Sequence, residues 1–143
     1  MNVLERYCAF FEQFGPESLA RFDEVYADDA RFKDPFNDVR GLASIRHVFA
    51  HGLKQCPGMR FEILMALPGE RRGKPVAMIR WRMHCDADAA DGLAIEGCST
   101  LVFDDGGRVI EHIDDWDPAA QIYERVPVLG SLMRWLRRRL SAD

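Results

Sequence analysis

The chain has 143 residues, 48% hydrophobic and 29% charged, an ordinary globular composition that fits one domain spanning 1–143 and argues against disorder. Lys and Arg number 19 against 23 Asp and Glu, so the net charge is −4 and the drive for nonspecific nucleic-acid binding is missing. No segment has the long uncharged apolar run of a membrane span, so the expectation is a soluble, cytoplasmic protein.

Val3, Leu4, Tyr7, Phe10, Phe11 and Phe14 recur at helical spacing, and Gly15-Pro16 ends that helix and begins another. In the second, Leu19, Phe22, Val25 and Tyr26 form the apolar stripe, which Asp28-Asp29 closes. The strand ARFKD follows, and its alternation puts Phe32 and Asp34 on one face. A third helix is predicted from about Leu42 to Leu53, and Cys56-Pro57-Gly58 breaks it. From Met59 onward the period is two, with strands predicted at about 59–67, 74–86, 93–104 and 107–117. The separators PGERRGKP, DADAADG and DDGG are rich in turn formers, so these strands return antiparallel as hairpins. After Asp117-Pro118 a helix carries Ile122 and Tyr123, and Pro127 and Gly130 interrupt it before SLMRWLRRRL, so 118–143 reads as a helical extension.

Helices followed by a strongly curved antiparallel sheet describe an α+β domain in which the helices cover the concave side of a cone. Its wide mouth suits a small, largely apolar ligand. Along 107–117, Ile110, His112, Asp114 and Trp116 share one face, and Val109, Glu111, Ile113 and Asp115 the other. His112 and Asp114, two apart on one face, can pair so that the carboxylate orients or charges the imidazole. The same parity on 74–86 turns Ile79, Trp81 and Met83 inward and Arg80 and Arg82 outward.

Cys8, Cys56, Cys85 and Cys98 show no CxxC spacing and are expected to be reduced, packed thiols, with Cys56 beside Pro57 the most exposed. No metal site is expected: His47 and His51 are four apart but lie off the apolar stripe of their helix, and His84 has no acidic or cysteine cluster around it. The terminal helix combines Leu132, Met133, Trp135, Leu136 and Leu140 with Arg134, Arg137, Arg138 and Arg139. Its apolar face is expected over the pocket mouth or against a partner subunit, with the arginines hydrated, rather than on a membrane.

The blocks VYADDARFKDPFNDVRG at 25–41 and CSTLVFDDGGRVIEHIDDWD at 98–117, separated by one helix and a meander, resemble the NTF2-like superfamily. The likeness is to its branch of SnoaL-like polyketide cyclases and ketosteroid isomerases. The resemblance implies the cone fold. It places Asp34, just before Pro35, at the position of the isomerases' general-base aspartate, and His112, Asp114 and Trp116 along the pocket. SnoaL-like cyclases are similar in using a pocket aspartate, and sometimes a histidine, as acid–base groups. The isomerase oxyanion donors are not matched: their tyrosine falls at Phe10, which cannot donate, and their protonated aspartate at Ser99, which donates weakly, with Tyr7 one turn before Phe10. Two functions follow as expectations. One is a cofactor-free isomerase- or cyclase-like enzyme with Asp34, His112 and Asp114 as acid–base groups, Phe10, Phe32, Trp81 and Trp116 as walls, and Ser99 as a donor to an enolate. The other is a ligand-binding or assembly module without turnover. Both imply a homodimer through the outer sheet face.

Overall fold

The structure, a computed structural model, describes residues 1–85 and 94–142. The DADAADG turn expected from the sequence lies outside the described residues.

Helix α1 (Val3–Glu12) starts at a capping box in which Asn2 Oδ1 accepts from Glu5 N at 2.9 Å and the Glu5 carboxylate accepts from Asn2 N at 2.9 Å. It buries Tyr7, Phe10 and Phe11. Gly15-Pro16 does turn the chain, but the expected second helix is a 3₁₀ segment, Pro16–Glu24, and Tyr26 opens a strand instead of closing a helix. The cause is tertiary. Val25 O accepts from Val109 N at 2.8 Å, and from there strand β1 (Tyr26–Lys33) pairs in parallel with β6 (Val109–Asp115). Backbone groups that a further helical turn would use are thereby taken into the sheet.

The chain then reverses through Asp34–Asn37 into a short edge strand, β2 (Asp38–Arg40), which the sequence pattern does not reveal. Helix α2 (Leu42–Gln55) follows Gly41, whose φ of +95° favours a residue without a Cβ. The remaining strands are β3 (Arg60–Arg71), β4 (Lys74–His84) and β5 (Ala94–Phe103). Sheet order is β2-β1-β6-β5-β4-β3, antiparallel at each step except β1–β6. Most of the PGERRGKP separator is strand. Only Arg72-Gly73 turns, both with positive φ (52° and 77°), the backbone that a two-residue hairpin demands. Pro68 is tolerated because β3 is an edge strand.

Register on β6 departs from simple alternation. Val102 pairs with Glu111 and Phe103 with Val109, so Ile110 is an extra residue in the ladder. The bulge returns Val109 to the core side, where it is fully buried, while His112 and Asp114 keep the inward orientation.

Aromatic rings from α1, the 3₁₀ segment and α2 fill the space above the sheet, with Phe22–Phe49 centroids at 5.1 Å, Phe11–Phe49 at 5.7 Å and Phe14–Phe49 at 5.5 Å. Short helix α3 (Pro118–Gln121) is capped by Asp117 and clamped to β5, since Glu96 N donates to Gln121 Oε1 at 2.7 Å and Gln121 Nε2 donates to Glu96 O at 3.1 Å. Helix α4 (Leu129–Leu140) lies on the 3₁₀ turn Tyr123–Arg125. Of the two places expected for its apolar face, the pocket mouth is not taken: α4 contributes no residue to the cavity wall. Among the described residues no helix is long and apolar enough to cross a membrane.

The expectation of four reduced thiols with Cys56 most exposed is also corrected. Cys56 is 5% exposed and forms a disulfide with Cys85, joining the end of α2 to the end of β4, while Cys8 and Cys98 are free and half-buried. The Cys56-Pro57-Gly58 turn that ends α2 folds Cys56 back against the sheet instead of leaving it at the surface. Closing a loop with a sequence separation of 29 restricts the unfolded chain by roughly 3–4 kcal/mol. Replacing both residues by serine is therefore expected to lower unfolding free energy by about that amount in urea titrations, with unchanged far-UV dichroism. Native protein in which both thiols alkylate freely would refute the linkage.

Candidate functional site

The helices and sheet enclose a cavity of about 460 Å³, within the range of small-molecule sites. Phe11, Phe32, Phe49, Phe61 and Ile79 make an apolar wall, and Tyr7, Trp81, Ser99, His112 and Asp114 bring polar atoms to it.

His112 is 3% exposed, and both of its ring nitrogens are engaged. Nε2 lies 2.6 Å from Asp114 Oδ1 and 3.3 Å from Ser99 Oγ, whereas Nδ1 lies 2.7 Å from the Tyr26 hydroxyl and 2.8 Å from the Tyr7 hydroxyl. An ionised carboxylate only accepts, so Nε2 carries a proton toward Asp114 and Nδ1, in the neutral ring, accepts from a tyrosine. Two tyrosine hydroxyls thus face one lone pair, and they stand 3.4 Å from each other. Burial, reinforced by the Asp114 charge, pushes both phenols well above their ordinary value, which keeps them as neutral donors.

Ser99, opposite Asp114 in the β5–β6 ladder, donates to Asp114 Oδ1 at 2.5 Å and accepts from Trp81 Nε1 at 2.8 Å. Its single proton is committed to the carboxylate, which leaves none for an enolate. Gly97 explains how the indole reaches it. Trp81 pairs with Gly97 across β4–β5, and a Cβ on Gly97 would stand 2.5 Å from Trp81 Cζ2. The ring lies in the space that any larger residue would fill. Asp114 receives both hydrogen bonds on Oδ1, lines the cavity and has a side chain 15% exposed, so Oδ2 is the oxygen open to a ligand.

Asp34 follows β1 on the cavity side and lines the mouth, but its carboxylate is occupied in a turn. Oδ1 accepts from Phe36 N at 2.8 Å, Asn37 N at 2.7 Å and Asn37 Nδ2 at 3.0 Å, and Oδ2 accepts from Asn37 Nδ2 at 3.1 Å. The turn presents Phe36, which packs on Trp116 with centroids at 5.5 Å and on Tyr123 at 6.3 Å. Phe10 does not line the cavity; it sits under Arg21 and against Phe22, and Phe11 takes the wall position. Phe32, Trp81 and Trp116 do line it.

Tyr7, which the sequence marks only as lying one turn before Phe10, and Tyr26, which reads as part of a helical stripe, complete the polar cluster, and Gly97, which carries no sequence signal, makes room for it. Tyr7 lies on the apolar stripe of α1, where only the helix's rotation distinguishes it from Phe10. Outside the cavity, Arg80 and Arg82 lie on the outer face as expected, paired with Glu96 at 3.0 and 2.5 Å. His84 joins Glu62 there at 3.0 Å. His47 and His51 are exposed, His51 among the residues that line the cavity, and among the described residues no group of three or more His, Cys, Asp or Glu side chains gathers as a metal site.

Residues 7–112 match the SnoaL-like domain family. Similar solved structures include an isomerase candidate of the SnoaL-like family from Agrobacterium tumefaciens, with 18% identity, 80% of this chain and 94% of that one covered, and a TM-score of 0.61. An NTF2-like protein of unknown function from Exiguobacterium has 12% identity, coverage of 81% and 98%, and a TM-score of 0.66. A candidate polyketide cyclase from Sinorhizobium meliloti has 15% identity, coverage of 79% and 93%, and a TM-score of 0.60. These likenesses establish the NTF2-like α+β fold. No curated protein matches the sequence.

Two measurements test this geometry. Gly97→Ala is expected to displace the Trp81 indole, break its bond to Ser99 and cost about 1–3 kcal/mol in urea unfolding; a neutral effect would mean that the ring has room to move. A phenol whose pKa is raised by folding stabilises the fold fully below its unfolded value of 10.0 and loses that contribution as pH climbs toward the folded value. Stability should therefore decline above about pH 10, more shallowly in Tyr26→Phe, and tyrosinate absorbance from Tyr7 and Tyr26 should appear only with unfolding.

Proposed function

We propose that this chain, which belongs to the SnoaL-like domain family, is a cofactor-free acid–base enzyme acting on a small, apolar, carbonyl-containing substrate. Asp114 is the base and Tyr7 the donor to the carbonyl oxygen. The observation that carries this reading is a surplus at each end of the His112 network. Asp114 has one oxygen left over, and the tyrosine pair has one proton more than Nδ1 can accept. With Tyr26 donating to Nδ1 at the shorter distance of 2.7 Å, the second proton is that of Tyr7, held only in a long 3.4 Å contact to the Tyr26 oxygen that a ligand can replace, and Tyr7 lines the cavity whereas Tyr26 does not.

In the proposed step Asp114 Oδ2 takes a proton from the carbon beside the carbonyl. The C–H pair moves into the new C=C bond and the carbonyl π pair moves onto oxygen, where the Tyr7 hydroxyl stabilises it. Where the substrate carries a β,γ double bond the enolate is a dienolate, and protonated Asp114 returns the proton to its γ carbon, which is isomerisation; where a second carbonyl is in reach the enolate carbon attacks it and protonated Asp114 gives its proton to the alkoxide formed, which is cyclisation. Return to the same carbon gives exchange alone. His112 Nε2–H and the Ser99 hydroxyl hold the carboxylate in place, which makes them positioning residues. The aromatic wall keeps water away from the enolate and strengthens each hydrogen bond to it. Asp34, engaged by its own turn, shapes the mouth. Exposed Met65, Leu67 and Met78 on the outer face of β3–β4 support placing a second copy of the chain there.

The test is hydrogen–deuterium exchange at the activated carbon of 2-tetralone, followed by NMR. Wild type is expected to accelerate exchange; Asp114→Asn and Tyr7→Phe should each lose about a hundred-fold of the acceleration, and Asp34→Asn should stay within a few-fold. Bound 2-tetralone with no acceleration over buffer would establish the alternative, a binding module in which the His112 network is structural.

A further inference from the structure

Helix α4 presents its polar side to the body and its apolar side outward. The contacts to the body run through buried Gly130, which packs against the Glu124 carbonyl, and through Arg134 and Arg137. Arg134 Nη1 donates to that carbonyl at 2.5 Å, and Arg137 Nη1 pairs with the Glu124 carboxylate at 3.0 Å. Gly130, Arg134 and Arg137 share one side of the helix at i, i+4 and i+7. Leu129, Leu132, Leu136 and Leu140 share a different side and are 39%, 52%, 40% and 84% exposed. Trp135 borders that stripe, half exposed, with the Arg139 guanidinium 5.6 Å from its ring.

A leucine stripe in open water calls for an occupant, and charge selects it. Residues 125–140 carry five arginines and no acidic side chain, on a chain whose net charge is −4. A second α4 packed on the stripe about a two-fold axis would bring arginine-rich helices together. The exposed apolar patch on β3–β4 lies beside the Arg71-Arg72-Gly73-Lys74 hairpin, so it would repel α4 as well. An acidic lipid surface offers both an acyl region for the stripe and phosphates for its borders.

We propose that α4 binds the surface of a bilayer containing anionic phospholipid, with the leucine stripe in the acyl boundary, Arg139 at the headgroup phosphates beside the stripe, Arg138 within electrostatic reach of the surface and Trp135 at the interface. At 12 residues α4 is too short to span, so it lies in the plane. It rests on the turn that holds Tyr123, whose ring packs against Phe36 at the cavity mouth. Surface binding therefore places the membrane beside the segment that borders the mouth.

The test is flotation of the intact protein with phosphatidylcholine vesicles, with and without phosphatidylglycerol. Binding is expected only with phosphatidylglycerol, with a blue shift of Trp135 emission that Trp135→Phe removes. Replacing Arg138 and Arg139 by glutamine should weaken binding about 25-fold, roughly fivefold for each arginine. Leu132→Asp with Leu136→Asp should abolish it while leaving far-UV dichroism unchanged. Three results would overturn the proposal: no flotation at low salt, flotation that survives the double aspartate variant, or a wild-type dimer that this variant dissociates, which would assign the stripe to a second copy.

Discussion

A buried imidazole must find a partner for each nitrogen, and the arrangement around His112 follows from that constraint. Its ring lies 4.7 Å from Phe32 and 5.9 Å from Tyr26, centroid to centroid, and the residue is 3% exposed. The partners come from four separate elements: Tyr7 from α1, Tyr26 from β1, Ser99 from β5 and Asp114 from β6 itself. Moving any one of these elements leaves a polar atom orphaned at a cost of about 1–3 kcal/mol, so the network ties the first helix to the centre of the sheet. The parallel pairing of β1 with β6 serves the same end. It sets Phe32 opposite His112 and brings Tyr26, at the start of β1, within reach of Nδ1.

Holding groups and reacting groups separate clearly in this cluster. Trp81, Ser99, Tyr26 and His112 have their hydrogen-bonding capacity used within the protein, and each fixes the next one toward Asp114. What remains available to a ligand is small: one carboxylate oxygen and the Tyr7 proton, which only a long 3.4 Å contact to Tyr26 holds, on opposite sides of the imidazole. A preorganised pair of this kind needs no reorientation when charge moves from carbon to oxygen. Gly97 supports it at a distance, because the space it leaves is what allows the indole to lie flat enough to meet Ser99.

The sequence disclosed this arrangement unevenly, for physical reasons. Period-two alternation on 107–117 placed His112 and Asp114 on one face, and the family resemblance turned that face inward. The same alternation failed at Val109, because a single extra residue at Ile110 reverses parity and leaves no compositional mark. Parity carried Asp34 to the cavity side correctly, yet it says nothing about which backbone amides a carboxylate meets, and Phe36 and Asn37 supply them two and three residues on. The choice between Tyr7 and Phe10 depends on how α1 rotates over the sheet, a property of packing rather than of helical periodicity. Tyr26 reads as helical because its spacing from Phe22 is helical; only pairing with β6, remote in sequence, makes it a strand. The PGERRGKP segment carries strong turn residues, but one positive-φ pair at Arg72-Gly73 suffices to reverse the chain and the rest extends the strands.

The two ends of the molecule are linked by its aromatic mouth. Asp34 organises a turn whose amides it accepts from, that turn holds Phe36 out between Trp116 and Tyr123, and Tyr123 begins the segment on which α4 is seated. Apolar surface thus runs from the wall beside Asp114, past Trp116 and Phe36, to Tyr123, and the polar underside of α4 is seated on the segment that Tyr123 begins. An apolar molecule that leaves a lipid phase loses hydrophobic stabilisation at every exposed step before it reaches a site. An aromatic mouth beside the proposed membrane face lowers that loss, since entry past Phe36 and Trp116 keeps part of the surface out of water. In this reading the turn at Asp34 and the polar underside of α4 serve one purpose, to set a mouth that accepts apolar carbonyl compounds near the phase in which such compounds concentrate.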